Sequence, residues 1–282
     1  MTKRFPHTGK RLLGSILLTI MIVVFLFPIY WNLITALKPS TELLDYPPQL
    51  FPFHPTFEQL QKLFAAGDGV FLTYCKNTLI MSISTIVLVV LLSIYCAYGL
   101  AILPFKGSRL FFLLVLSVFM IPFQSLLVPL YDQLTKMRLF NTKLGIILIY
   151  STFFLPFCVF MLKNSFSQLP IALRESAKID GASDRFILWK IYVPLSIPSI
   201  ISCIVYLFIE TWNDFVLSFV FSSSDSVKTI QVGIMNFGKQ RFQSDWGIIN
   251  AGTLVSIIPT ILLFLFLQKY YLQGLTTGAI KE

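Results

Sequence analysis

Long apolar segments dominate this sequence and limit what it can fold into. Each is about 20 residues or longer, which is the length that a helix needs to cross the hydrocarbon core of a bilayer. Lipid offers the backbone no hydrogen-bond partners, so such segments are expected to be helical. The pattern predicts an all-α integral membrane protein with six transmembrane helices. Their predicted bounds are 12–35, 78–103, 109–131, 143–162, 194–220 and 251–271.

Composition agrees with a membrane protein and argues against a nucleic-acid binder. Charged residues make up 12% of the chain, against about 25% in soluble domains. The formal net charge is +9, but the basic residues flank the apolar segments and form no stripe with interleaved aromatic residues. We therefore interpret them as determinants of membrane orientation, and we expect no nucleic-acid partner.

The first apolar segment is expected to be a retained span. Basic residues precede it, as they precede the apolar region of a signal peptide. The apolar run from Leu12 to Tyr30 is longer than the usual 7 to 15 residues of such a region, at about 19, and no small-residue cleavage site follows it.

Prolines within the predicted spans indicate kinks or broken turns, because proline lacks the N–H that an α-helix needs. They are Pro28, Pro122, Pro156, Pro198 and Pro259.

Six spans place both termini on the same side of the membrane, and basic residues favour the cytoplasmic side. With both termini in the cytoplasm, 13 of the 22 Lys and Arg residues lie on that side. The chain is therefore expected to have cytoplasmic termini. These 13 residues are Lys3, Arg4, Lys10, Arg11, Lys106, Arg109, Lys163, Arg174, Lys178, Arg185, Lys190, Lys269 and Lys281.

Two predicted loops are more than simple connections. The outer loop 36–77 is rich in proline and phenylalanine, and we expect an ordered cap with a short helix from Thr56, as N-cap, to Ala65. The inner loop 163–193 is the only sizeable one on the cytoplasmic side. There, Pro170 suits a first helical turn and Gly181 suits a helix end, which predicts a helix over 171–180. From residue types alone, this helix could equally lie on the membrane surface as an amphipathic helix.

The spacing of residues in the inner loop resembles a family motif. Glu175, Ser176 and Ala177 are followed after three residues by Gly181, and after nine more by Ile191-x-Val193-Pro194. This resembles the EAA---G---------I-LP motif of the permeases of binding-protein-dependent ABC importers. Ser176 and Val193 depart from the motif, which has alanine and leucine there.

The resemblance implies that residues 171–185 form a coupling helix that docks on a separate cytoplasmic ATPase. The residues to which it assigns ATPase coupling are Glu175, Ser176, Ala177, Asp180, Gly181, Ile191 and Pro194. It also implies a permease core over 71–270 of a single membrane domain, 1–282, with the coupling loop at 163–193.

Further segments narrow the resemblance to the carbohydrate-uptake class, similar to the six-span permease of maltose-type transporters. They are Phe27–Trp31 with Thr35–Pro39, Trp212–Phe215, Thr229–Gly233 and Gln273–Lys281. The implied partners are a second permease, two ATPase subunits and an extracellular or periplasmic solute-binding protein, in a bacterial cell (inner) membrane. The implied substrate is a di- or oligosaccharide. The chain itself is expected to bind no cofactor or metal and to have no catalytic residues, while ATP and Mg are used by the partner ATPase.

Polar residues near the end of the fifth segment are candidates for the transport pathway. Glu210 and Asp214 lie four apart and thus on one helix face, and a charge within a span is expected to face protein or water. Trp212 and Asn213 complete this candidate set. The alternative places the acidic pair at the wet outer end of the span. Trp212, Phe215 and Phe219 could stack on sugar rings or form an aromatic belt at the membrane surface.

Other function classes explain the sequence less well. An intramembrane enzyme or an ATPase would need motifs such as HExxH, GxSxG or GxxxxGK[ST], and the sequence contains none of them. A secondary transporter would be expected to show inverted repeats and midplane charges, which are not visible. An ABC permease for another polar solute, such as glycerol phosphate, stays open as the alternative.

Overall fold

The computed structural model consists of helices and the segments that connect them, with no strands among the residues that it describes. The backbone is described for 7–103, 105–237 and 245–279, and side chains for 14–103, 105–237 and 245–268. Lys3, Arg4 and Lys281, on which part of the predicted orientation depends, lie outside these ranges. In chain order the described α-helices are α1 (His7–Ala36), α2 (Glu58–Ala65), α3 (Val70–Ala101), α4 (Ser108–Ser117), α5 (Leu127–Lys136), α6 (Lys143–Ser167), α7 (Ala172–Ile179), α8 (Asp184–Ile187), α9 (Val193–Leu195), α10 (Ile197–Asn213), α11 (Val216–Phe221), α12 (Ile230–Phe237) and α13 (Trp246–Ala279).

Four helical stretches in the described chain are long and apolar enough to cross a membrane, and two bent pairs raise the number to six if each pair counts as one span. The all-α membrane fold predicted from the sequence is confirmed. The four stretches are Gly14–Ala36, Glu58–Ala101, Lys143–Ser167 and Trp246–Gln268.

The two predicted spans 109–131 and 194–220 are not the single helices that the apolar pattern indicated. Ser108–Met120 and Phe123–Lys136 meet at 89°, and Asp184–Leu195 and Ile197–Asn213 meet at 77°. Pro122 lies in the first break, and Pro198 lies in the first turn after the second. Neither can donate a backbone hydrogen bond, so the helix ladder is interrupted there.

The other three predicted kink sites behave differently. Pro28, Pro156 and Pro259 lie inside the continuous helices α1, α6 and α13. A proline removes one backbone hydrogen bond, and a long helix with many others persists through that loss.

The described residues form two compact units of contacts. The first is drawn from 1–69 and 234–257. In it, the loop after α1 is tied down by the buried Lys38, whose Nζ donates to the Gln49 carbonyl at 2.7 Å, and by the buried Gln59, which donates to the Lys38 carbonyl at 3.1 Å. Asn32 donates to Asn250 across α1 and α13 at 2.9 Å. The outer loop is thus ordered, as predicted.

The short helix of the outer loop begins later than predicted. α2 starts at Glu58, and Phe57 occupies the N-cap position without a side-chain bond. The Thr56 hydroxyl still accepts a hydrogen bond from the Glu58 N–H at 3.2 Å. Thr56 therefore satisfies a donor at the helix start from one residue outside the cap.

The second unit is drawn from 70–233 and 258–282. Its centre is the packing of α3, α6 and α10 on one another. One buried cluster joins these helices to the segment that follows α6, and it includes Val89, Ala97, Tyr98, Cys158, Leu162, Phe166, Ala177, Ile187, Leu188, Tyr192, Cys203 and Leu207. We call this set the inner cluster.

Polar side chains of α3 hold the segment between α11 and α12. The Tyr74 hydroxyl donates to the Asp225 carboxylate at 2.7 Å, and the Thr78 hydroxyl accepts from the Ile230 N–H at 2.8 Å. The hydrogen bond from Tyr74, with the ammonium group of Lys228, holds the pKa of the Asp225 carboxyl below its ordinary value. The Thr229–Gly233 stretch, quoted above for its resemblance to a family, follows directly on this anchored segment.

Gly233 is where α12 comes closest to Tyr74. A Cβ at Gly233 would lie 2.1 Å from the buried Tyr74 ring, and such overpacking costs about 1–3 kcal/mol. We expect Gly233→Ala to lower the melting temperature of the detergent-purified protein. The melting temperature is measured by size-exclusion chromatography of samples heated to increasing temperatures. Gly99→Ala is the matched control, because nothing lies within 4 Å of a Cβ there. Equal melting temperatures for the two variants would contradict the close contact.

Candidate functional site

The helix predicted in the inner loop is present and ends where predicted. α7 spans Ala172–Ile179, and Gly181 has a φ of +82°. The Ala182 N–H donates to the Ala177 carbonyl at 2.9 Å, and the Gly181 N–H donates to the Lys178 carbonyl at 3.0 Å. This bond pair is the Schellman motif, in which a left-handed residue closes the helix. Gly181 as the terminator of the helix is confirmed.

The basic residues of α7 are held by one carboxylate. Asp184, the first residue of α8, accepts from Lys178 Nζ at 2.9 Å and from Arg174 Nη2 at 3.4 Å. Tyr98 of α3 also donates to Asp184, at 3.4 Å. After the turn at Gly181, these bonds tie α7 to the first residue of α8 and to α3.

Ala177 lies on the side of α7 that faces its own chain. Its relative exposure is 9%, and it packs in the inner cluster. Its small side chain lets α7 pack closely on the chain's own helices. The contribution of Ala177 to ATPase coupling, which the resemblance implies, stays a prediction.

Several residues around Ala177 on α7 and at its C-terminal end are exposed. Glu175, Ser176 and Asp180 are exposed, and Ile179 is 86% exposed. The two basic residues of α7 are bound to Asp184, so the open surface combines acidic, hydroxyl and apolar side chains. We call Glu175, Ser176, Ile179 and Asp180 the open face of α7.

The last motif residues support the bend after the loop. Ile191 is half-buried against the inner cluster and lies in the π-helical turn Leu188–Tyr192. Pro194 is exposed and lies in the first turn of α9, just before the 77° bend. Both are placed as structural residues of this turn, and their predicted contribution to coupling stays a prediction.

A cavity of about 540 Å³ lies in the second unit, where the candidate pathway residues were predicted. It is lined by Phe119, Phe123, Phe153, Phe154, Tyr206, Ile209, Glu210, Asn213, Asp214, Phe215, Val216 and Leu217. The volume is within the range of small-molecule sites, about 300–1,000 Å³. Glu210, Asn213 and Asp214 are thus brought together on one cavity wall.

Asp214 holds the break between α10 and α11. Its Oδ2 accepts from the Ser218 N–H at 2.8 Å and from the Tyr150 hydroxyl at 2.8 Å, and its Oδ1 accepts from the Leu217 N–H at 3.2 Å. The carboxylate therefore satisfies two backbone donors at the start of α11 and joins that helix to α6. Its hydrogen-bonding capacity is largely used within the protein.

The other candidates differ from one another. Glu210 is exposed, and no described residue forms a hydrogen bond or ion pair with its carboxylate. Trp212 departs from the prediction: it is 4% exposed, does not line the cavity, and stacks on Phe208 with centroids 5.2 Å apart. Phe215 does line the cavity and stacks on Phe219.

Sequence reasoning missed three residues of these sites. Tyr150 and Tyr206 lie in apolar runs that gave no signal beyond a span, although the hydroxyl of a buried tyrosine usually finds a hydrogen-bond partner, as that of Tyr150 does. Asp184 lies between the residues of the family motif, and the sequence could not show that the turn at Gly181 places it beside Arg174 and Lys178. No three metal-ligating side chains lie together in the described part of the chain, so no metal centre is assigned.

Taken together, these helices define a multi-pass helical membrane protein with a short helix between two of its spans and a cavity at the break of a third. Comparison with known families agrees. The family model described as binding-protein-dependent transport system inner membrane component matches residues 8–276. The chain belongs to this family.

Relatives of known name match over nearly their whole length. The probable ABC transporter permease protein YurM of Bacillus subtilis is 30% identical, over 94% of this chain and 87% of the relative. The trehalose transport system permease protein SugB of Mycobacterium tuberculosis is 34% identical, over 95% and 96%. A chain in the crystal structure of a bacterial ABC transporter involved in import of the acidic polysaccharide alginate has a TM-score of 0.85 at 20% identity, covering 96% of this chain and 100% of that one. This last match shows the fold.

The bond between Tyr150 and Asp214 joins α6 to the cavity wall. A hydrogen bond to a charged group contributes about 1.5–3 kcal/mol, so Tyr150→Phe is expected to lower the melting temperature of the purified protein. Tyr206→Phe removes a hydroxyl from the same cavity without a described hydrogen bond and is the matched control. A melting temperature for Tyr150→Phe equal to that of the control would count against this role for Asp214.

Proposed function

We propose that this chain is a permease subunit of an ATP-driven sugar importer and forms half of its translocation pathway. The single observation that carries the proposal is family membership across residues 8–276. Support for a sugar comes from the trehalose permease relative and from the aromatic lining of the cavity. A di- or oligosaccharide is the proposed substrate, and another polar solute such as glycerol phosphate is the alternative.

The proposed complex contains a second permease, two ATPase subunits and a solute-binding protein outside the cell. The ATPase is proposed to dock on the open face of α7, where Glu175, Ser176 and Asp180 are exposed beside the apolar Ile179. Asp184 supports this role because it fixes α7 against α8, so that a displacement of α7 is passed to the segment that follows.

The proposed location is a bacterial cell membrane, with both termini and α7 in the cytoplasm. Support comes from the excess of basic residues on that side and from the family description, which names an inner membrane component.

Purification of the tagged chain from gently solubilised membranes tests the assembly. We expect a second permease and an ATPase with a phosphate-binding GxxxxGK[ST] motif to co-purify, identified by mass spectrometry, and sugar uptake into membrane vesicles to require ATP. The chain alone, moving solute along an ion gradient without ATP, would instead establish a secondary transporter.

Gly181 provides the sharpest test of coupling. Valine at a φ of +82° is strained by about 1–2 kcal/mol although its side chain would meet no atom within 4 Å. We expect Gly181→Val to lower ATP-dependent sugar uptake more than tenfold, because the closed end of α7 is lost, while the amount of protein in the membrane stays the same.

Gly107 supplies the matched control for that variant. It has a φ of +90° with equally open surroundings, but it precedes α4 rather than ending α7. Gly107→Val is expected to keep uptake within about twofold of the original protein. Equal losses in both variants would show that backbone strain alone, and not the coupling loop, causes the defect.

A further inference from the structure

The cavity lies where two helical segments are interrupted. Phe119 and Phe123 flank the break at Pro122, and the lining residues Asn213–Leu217 cross the break between α10 and α11. In membrane transport proteins, broken helices inside the bundle are tolerated where they border a binding site or a water-filled space. The position of the cavity at two such breaks therefore indicates a site for a solute.

One part of the cavity wall is aromatic. Phe123 and Phe153 form an edge-to-face pair with centroids 6.0 Å apart, and Phe154 and Tyr206 form another at 5.9 Å. Aromatic faces carry negative electrostatic potential and attract weakly positive C–H groups or cations. A saccharide presents such C–H groups on the apolar face of each ring, and an amino sugar adds an ammonium group.

The polar part of the wall is acidic. Of the residues that line the cavity, Glu210 and Asp214 are acidic and none is basic. Asp214 is already occupied by Tyr150 and two backbone N–H groups, whereas the Glu210 carboxylate has no partner among the described residues. A carboxylate only accepts hydrogen bonds, so Glu210 is suited to bind hydroxyl or ammonium groups.

We propose that this cavity is a substrate subsite contributed by this chain, and that it takes uncharged or cationic saccharides and rejects anionic ones. The inference rests on the proposed function and adds the charge class of the substrate. Rejection follows because an anionic sugar would place like charges together in a partly desolvated site. The fold by itself does not exclude anionic substrates. A chain with the same fold comes from a transporter that imports the acidic polysaccharide alginate.

Saturation-transfer NMR on the assembled transporter, purified through this chain into lipid nanodiscs and without its solute-binding protein, tests the inference. The probes are trehalose as the uncharged sugar, the glucosamine dimer as the cationic one and the galacturonate dimer as the anionic one, each at millimolar concentration. We expect transfer to the first two and none to the third.

Variants assign any binding to this cavity rather than to another subunit. Glu210→Gln keeps the size of the side chain and removes its charge, so affinity for the glucosamine dimer should fall about tenfold while affinity for trehalose stays within about threefold. Asp132→Asn removes an exposed carboxylate on α5 outside the cavity and should change neither.

Three results would overturn the inference: transfer to the galacturonate dimer equal to that of trehalose, no transfer to any probe, or an unchanged preference in Glu210→Gln. ATP-dependent uptake by the same assembly is measured in parallel. If uptake still depends on ATP and any of these results is obtained, the proposed subsite is rejected but the proposed importer function is not. Uptake that does not require ATP would reject the importer function itself.

Discussion

The need to satisfy every backbone hydrogen bond away from water is the constraint on which this structure depends. It makes each apolar segment a helix and makes each break costly. The breaks in the described chain are repaired locally. After Pro122, the N–H and the hydroxyl of Ser125 both donate to the Pro122 carbonyl. After Asn213, the Asp214 carboxylate accepts the N–H groups that begin α11.

The break between α10 and α11 depends on the carboxylate of Asp214. Asp214 would be costly within a span unless its charge were stabilised, and Tyr150 with two backbone donors supplies that stabilisation. Asp214 is bound within the protein, whereas Glu210, one helical turn away, has no partner among the described residues. The two carboxylates look equivalent in the sequence, and the structure distinguishes them.

What could be predicted from the sequence follows from how local each signal is. The four long apolar helices and the end of α7 depend on apolar length and on a glycine that tolerates positive φ, so the sequence predicted them, whereas the bends within 109–131 and 194–220 were missed. The five prolines look alike in sequence, yet only Pro122 and Pro198 coincide with breaks. The inward side of Ala177 and the stacking of Trp212 on Phe208 depend on distant helices and could not be inferred from spacing.

The burial of Ala177 has a mechanical consequence. Through the inner cluster, α7 shares a close-packed interior with Cys203 and Leu207 of α10, and Leu207 precedes Glu210 by less than one helical turn. Close-packed interiors have low compressibility and transmit strain. A displacement of α7 is therefore passed directly to α10, which forms part of the cavity wall. A larger side chain at position 177 would push α7 away from α10 and loosen this contact.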